Sequence, residues 1–389
     1  MKRIAITITV LLTSLIILLD VRGLISMWMP FGLQLHTPAA QYVQPLEVPL
    51  GGLAWAKEGA FSIRASLIKA DTGEVVATQP IQRDRVVYKG EVLYELASFR
   101  SHIKAPSAGK YLLILELHDA SGIVQAKLEK SLSISENAPD SEFRMFSVSH
   151  ITALAVLLLL VLCVFWIGTS KSISANMKAI LPIIMFTLML ANEVIYHIYW
   201  QVVGAWSVST ALMIQMCGLS ILLLPWVFII KPGKAGKLLF EILYFWGIGG
   251  ALQALLTPDI GLLGFPSYKY FSFFISHGLI ILLTVYASVT LPYKINLKSL
   301  VRTMVISNVV IICIYGMNHL LVLLPPYEVG NYFVLNYPPV TGSLVDLFVQ
   351  LFGPSPWYFI GFELMALVVF GILVLPWYLC KVKKEYDSP

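Results

Sequence analysis

Residues 148–167 read "VSHITALAVLLLLVLCVFWI", twenty positions without one charged side chain. About 20 such residues in a helix cross the hydrocarbon layer of a bilayer, and few soluble folds can bury a helix that is apolar on every face. Seven further runs are predominantly apolar, at 4–19, 179–200, 208–230, 238–256, 270–291, 303–324 and 357–379. The chain of 389 residues is 58% hydrophobic and 13% charged, with a mean hydropathy of +0.79. So much apolar surface needs lipid as its solvent, which excludes an ordinary soluble enzyme. The expectation is an α-helical polytopic membrane protein with about eight transmembrane helices.

Charge is concentrated in one place. Residues 36–145 hold 12 of the 27 Lys and Arg and 13 of the 22 Asp and Glu. A polar domain of about a hundred residues is therefore inserted into a membrane chain. Three units follow: an N-terminal anchor with an interfacial segment at 1–34, the inserted domain at 35–145, and a seven-helix membrane domain at 146–389. The first run follows Lys2 and Arg3 and precedes Asp20, the layout of a signal peptide, but "DVRGLISMWMP" offers no small-residue cleavage site, so an uncleaved anchor is expected.

Basic loops remain cytoplasmic. With the N-terminus inside, Lys171, Lys178, Lys231, Lys234, Lys237, Lys294, Lys298, Arg302, Lys381, Lys383 and Lys384 all fall on the inner side, against Lys269 in the short outer loops. Both termini are then cytoplasmic and the inserted domain is extracytoplasmic, in a bacterial cytoplasmic membrane. The pI of 8.8 records this topology and implies no nucleic-acid partner. The inserted domain alternates apolar and polar residues in "FSIRASLIKA", "VVYKGEVLYEL", "KYLLILELHD" and "AKLEKSLSIS", with turns at "DTGE", "SAGK" and "DASG". A sandwich of about seven strands, immunoglobulin-like in build, fits that spacing. It contains no cysteine and so no disulfide.

Placed by depth at 1.5 Å per residue, the polar residues of six helices converge on one layer near the outer surface. They are Asn192, Glu193 and His197; Gln215 and Cys217; Gln253, which leads into "TPD" with Asp259; His277; Asn308, Tyr315, Asn318 and His319; and Glu363. Ionisable groups cost several kcal/mol in hydrocarbon, so such a layer marks a shared polar cavity open to one side. A pump or channel would carry polar residues along its whole path. Each residue also has a plainer role open to it. Cys163, Cys313 and Cys380 fit small hydrophobes, His197 beside Tyr199 and Trp200 fits an aromatic belt, and Glu193 and Glu363 fit interhelical hydrogen bonding. Cys217, Gln215 and His277 lie at one depth and form the candidate chemical group, with Cys217 as nucleophile and His277 as base. Cys217, His277 and His319 lack any HxxxH or CxxC spacing, so no metal is expected, and no phosphate loop, dinucleotide fingerprint or haem motif calls for a cofactor.

The segments "GGALQALLTPD", "YFSFFISHG", "GNY" with nearby "NYPP", and "FGPSPWYFI" resemble, in order, the YwaF-type family of bacterial integral membrane proteins, related to eukaryotic transmembrane protein 164. The resemblance covers about residues 178–381. It implies a compact helical membrane fold and, from the eukaryotic branch, transfer of a fatty acyl chain between phospholipids through a cysteine thioester assisted by a histidine. By that resemblance Cys217 of "QMCGLS" is the nucleophile and His277 of "FISHG" the histidine. Many bacterial members carry a histidine two positions before the cysteine and an acid just after it, where this chain has Gln215 and Gly218. The function expected is acyl transfer at the outer leaflet, with a phospholipid or other acyl lipid as partner and Gln215, Glu193, Gln253, Asp259, Asn318, His319 and Glu363 in support. An outward-facing lipid transporter or receptor, and an envelope assembly protein whose β domain holds a protein or wall polymer, are the alternatives.

Overall fold

The structure is a computed structural model that describes residues 1–26, 31–37, 43–56, 61–88, 95–136, 143–202, 206–258, 260, 264–324, 329–337 and 344–386. Helix α1 (Lys2–Ser26) leads into eight strands, β1 (Phe31–Thr37), β2 (Glu47–Ala56), β3 (Phe61–Lys69), β4 (Val75–Ile81), β5 (Arg83–Tyr88), β6 (Glu95–Lys104), β7 (Gly109–Asp119) and β8 (Val124–Ile134). The helices α2 (Val148–Thr169), α3 (Ala175–Val202), α4 (Met216–Ile229), α5 (Lys234–Phe245), α6 (Ala251–Leu256), α7 (Tyr268–Thr290), α8 (Leu297–Leu320), α9 (Leu344–Phe352) and α10 (Phe359–Tyr386) follow. A π-helical turn, Trp246–Gly250, joins α5 to α6 without a break.

Among the described residues seven helices are long and apolar enough to cross a membrane: α1, α2, α3, the α5–α6 unit, α7, α8 and α10. Leu159, Ile312 and Leu379 are each more than 60% exposed on their outer faces, the inverse of a soluble fold. This is a multi-pass membrane protein. The expected eighth span, 208–230, is corrected: only Met216–Ile229 is helical, and residues 206–215 form a buried irregular segment ahead of it. Irregular backbone at membrane depth survives only where protein satisfies its polar groups. Tyr332, fully buried, does so here: its hydroxyl donates to the Val208 carbonyl at 2.7 Å and accepts from the Leu212 N–H at 2.8 Å.

Among the described residues the β domain has eight strands where about seven were expected, in two four-stranded antiparallel sheets ordered β1-β2-β6-β5 and β4-β3-β7-β8. Alternation puts Ile63, Ala65 and Leu67 of β3 and Leu113, Leu115 and Leu117 of β7 into one core shared with Val48, Leu50 and Ile103 of the other sheet. Three of the four quoted segments contain a single strand each. In the fourth, 86–96, residues 89–94 lie outside the described residues, while its ends belong to β5 and β6. Strand β1 begins at Phe31, ahead of the expected start of the domain.

The two halves meet at a tryptophan collar. Gln34 Nε2 donates to the Trp206 carbonyl at 2.8 Å, and Trp55 of β2 packs in one apolar cluster with Trp200 and Trp206. Gly23 of α1 lies so close to the Trp206 indole that a Cβ there would sit 2.4 Å from the ring. At the other end of the bundle Glu241 is buried, accepting from Arg302 at 2.7 and 3.0 Å and from the Ser299 hydroxyl at 2.9 Å. Ser299 also completes a capping box with Asn296 at the start of α8.

Candidate functional site

Cys217 occupies the first turn of α4, the helix that begins part-way through the bundle. Twelve residues separate it from Ile229, so it stands ~18 Å from the lysine-bearing end of the helix, or ~12 Å below the far surface of a ~30 Å core. The depth matches the expectation, although the route to it is a re-entrant segment and not a helix. Gln215 caps α4 with extended backbone and makes no side-chain cap bond. The N–H groups of Met216, Cys217 and Gly218 therefore have no intrahelical acceptor. Gln215 Oε1 instead accepts from the Phe333 N–H at 2.8 Å, which leaves its Nε2 without a partner among the described residues.

Two glycines shape the space around the sulfur. At Gly218 an added Cβ would lie 2.9 Å from the Met213 carbonyl carbon and oxygen, so the re-entrant backbone folds directly over this position. Only glycine permits that approach. At Gly250, the last residue of the π-helical turn, an added Cβ would lie 3.1 Å from Met216 Sδ and 3.9 Å from Cys217 Sγ. The widened turn thus aims a bare backbone face at the cysteine, and π-turns recur at functional sites.

His277 is half-buried on α7, a helix packed against both α4 and the π-helical turn. Its Nδ1 lies 2.9 Å from the Phe273 carbonyl. Only a protonated nitrogen can bond a carbonyl, so the neutral ring carries its proton on Nδ1 and leaves the Nε2 lone pair free as a base. No hydrogen bond joins His277 to Cys217. Beside it, Asn192 ties α3 to α7 through Ser272 Oγ at 3.1 Å, the Ser272 carbonyl at 3.1 Å and Ser276 Oγ at 2.7 Å.

Glu193, one position on, is buried. Its Oε1 lies 3.6 Å from His197 Nε2, while His197 Nδ1 lies 3.0 Å from Asp20 Oδ1 on α1. His197 is 1% exposed and held between two carboxylates, an ion-pair role in addition to its contacts with Tyr196 and its neighbours. Sequence reasoning passed over Asp20, which reads locally as a polar flank; an acid retained six residues inside the end of a helix was the available signal.

The other supporting residues are placed as follows. Asn318 is fully buried and committed to the outer loop, its Nδ2 donating to the Tyr332 carbonyl at 3.0 Å and its Oδ1 accepting from the Tyr332 N–H at 3.1 Å. His319, the next residue, is exposed on another face of α8 and bonds the Tyr315 carbonyl of its own helix. Glu363 accepts from Asn308 Nδ2 at 3.1 Å, joining α10 to α8. Gln253 is exposed on α6. Asp259 lies outside the described residues. The structure therefore gathers Gln215, Cys217 and His277 on touching elements with Glu193 nearby, while Asn318 and Glu363 hold helices and loops and His319 and Gln253 face outward. No cluster of three or more His, Cys, Asp or Glu able to hold a metal occurs among the described residues.

No curated protein matches the chain. The sequence model of the TMEM164 family matches residues 145–374, more than half of the chain and the whole run from the start of α2 into α10, Cys217 and His277 included. The β domain lies outside the match. On that extent of similarity, this membrane protein belongs to the TMEM164 family.

Proposed function

We propose that the protein moves a fatty acyl chain between lipids through a thioester on Cys217. The observation that carries this is the placing of Cys217 in the first turn of α4, at a helix N-terminus without a side-chain cap, beside a helix that carries His277, whose Nδ1 is engaged by the Phe273 carbonyl. His277 Nε2 takes the thiol proton, and the sulfur forms a bond to the ester carbonyl of a donor lipid. The oxyanion is held by the first-turn N–H groups and by Gln215 Nε2, a contribution on the order of 3 kcal/mol. Collapse breaks the ester C–O bond, and the imidazolium returns its proton to the departing alkoxide. An acceptor hydroxyl then gives its proton to His277, attacks the thioester and releases the thiol. The apparent separation of Cys217 from His277 is closed by the lipid or by side-chain rotation, since apo sites are often looser than the reacting complex.

Lipid ester carbonyls lie at the boundary between headgroups and chains, and the depth of Cys217 suits them. The basic loops favour an orientation with the lysine-bearing end cytoplasmic, which puts the β domain and the cysteine toward the outer leaflet of a bacterial cell membrane. The strand order β1-β2-β6-β5 facing β4-β3-β7-β8 is that of an immunoglobulin-like sandwich with one added strand, and such a domain fits a role in capturing a protein or wall-polymer partner.

The test is acyl exchange by the purified protein between a labelled phospholipid and a lysophospholipid. Wild type should transfer label, with Cys217→Ser and His277→Ala each at least 100-fold slower. Transfer that survives Cys217→Ser, or retention of lipid without any transfer, would replace covalent chemistry with transport or binding in the same cavity.

A further inference from the structure

A second cavity lies away from Cys217, at the opposite end of α4; it holds about 540 Å³ and is lined by residues of α1, α2, α3, α4 and α7. That volume is within the range of small-ligand sites, ~300–1,000 Å³. Its lining is largely apolar: Ile183, Phe228 and Val289 are half-buried there, and Phe186 and Tyr286 are buried. Its rim is cationic. Lys178 reaches back to donate to the Gly168 carbonyl at 3.1 Å and the Ser170 carbonyl at 2.7 Å, which fixes the ammonium at the mouth with one N–H to spare. Lys2 lines the same mouth and forms no ion pair among the described residues. No Asp or Glu contributes to the lining.

We propose that this cavity binds an anionic phospholipid, with an acyl chain along Ile183, Phe228 and Val289 and the phosphate between Lys2 and Lys178. Charge complementarity selects the headgroup: two ammonium groups with no carboxylate beside them favour a net negative lipid over a zwitterionic one. The apolar depth selects a lipid over a free anion, because a hydrated phosphate gains nothing from an aromatic wall. The site is separate from the proposed acyl-transfer centre, since some twelve residues of α4, or ~18 Å, lie between them. A lipid held there would brace α1 against the bundle from the face opposite the β domain.

The experiment is native mass spectrometry of the delipidated full chain with phosphatidylglycerol, phosphatidylcholine or inorganic phosphate, on wild type, Lys2→Gln and Ala179→Trp. Ala179 lines the cavity and is otherwise exposed, so a tryptophan there fills the mouth without entering the core. Wild type should retain phosphatidylglycerol roughly tenfold more than phosphatidylcholine. Lys2→Gln should cut that preference by roughly fivefold, and Ala179→Trp should lose retention of both lipids. Equal retention of the two lipids by wild type, unchanged retention in both variants, or binding of inorganic phosphate as tight as that of the lipid would each overturn the proposal.

Discussion

His197 of α3 and Asp20 of α1 face each other at 3.0 Å, Nδ1 to Oδ1, across a contact from which both water and lipid are nearly excluded. Glu193 closes on the other ring nitrogen at 3.6 Å. Breaking a buried pair leaves an uncompensated charge, at a cost of about 3–5 kcal/mol, of which Asp20, 16% exposed, recovers part. His197→Leu should therefore lower the thermal unfolding midpoint in detergent markedly. The double variant Asp20→Leu/His197→Leu should be more stable than either single change predicts by addition, measured as a double-mutant cycle. Additive losses would mean that the two residues do not interact.

In the irregular segment at 206–215 one hydroxyl, that of Tyr332, serves two backbone groups. Tyr332→Phe strands the Val208 carbonyl and the Leu212 N–H, and each buried orphan costs about 1–3 kcal/mol. The variant should be destabilised by about 3 kcal/mol and should expose 206–215 to hydrogen exchange ahead of the rest of the bundle. Uniform protection across both regions would show that Tyr332 is not the prop of this segment.

Gly218 and Gly250 separate folding from function. Gly218→Ala drives a Cβ to 2.9 Å from Met213 backbone atoms that cannot step aside, so loss of about 1–3 kcal/mol and poor folding are expected. Gly250→Ala meets the flexible Met216 thioether at 3.1 Å, which can give way. It should retain stability within about 1 kcal/mol and still slow acyl exchange by roughly tenfold or more through misplacement of the sulfur. Thermal unfolding and exchange rates on the same samples check both.

In the β domain, Asp119 organises the turn between β7 and β8. The Ser121 hydroxyl at 2.6 Å, Gln125 at 2.6 Å and the Ile123 N–H at 3.0 Å all donate to its carboxylate. Led by the bond from Ser121, these lower its pKa from 3.8 to about 2. A depressed folded-state value means that the contribution is fully present above pH ~4 and is lost as pH falls through 2. Hydrogen exchange at Ser121 and Ile123 should be slower in wild type than in Asp119→Ala at pH 5, and the difference should vanish near pH 2. A difference that persists to pH 2 would place the protection elsewhere.

How far the sequence reached depended on whether a signal was local. The runs that became α2, α7 and α8 are visible because twenty consecutive apolar residues permit little else. Residues 208–230 are equally apolar, yet the break before Met216 depends on Tyr332, more than a hundred positions away, and no window around Val208 contains that information. The polar positions of α8 were visible at helical spacing, but Asn318 and His319, adjacent in sequence, are about 100° apart on the helix, and packing alone assigns Asn318 to the loop and His319 to the outer face. Asp20 was hidden for the same reason: its meaning lies in His197, on another helix. The grouping of Cys217 with Gln215 and His277 could be found by depth, since antiparallel neighbours of similar length put equal depths side by side.

The most direct measurement is the intact mass of the purified chain and of Cys217→Ser after incubation with membrane lipid, before and after neutral hydroxylamine, which cleaves thioesters. A thioester intermediate predicts a fatty-acyl mass increment on wild type that hydroxylamine removes and that Cys217→Ser never acquires. Wild type free of acyl mass, or an increment that resists hydroxylamine or persists in Cys217→Ser, would contradict acyl transfer through Cys217.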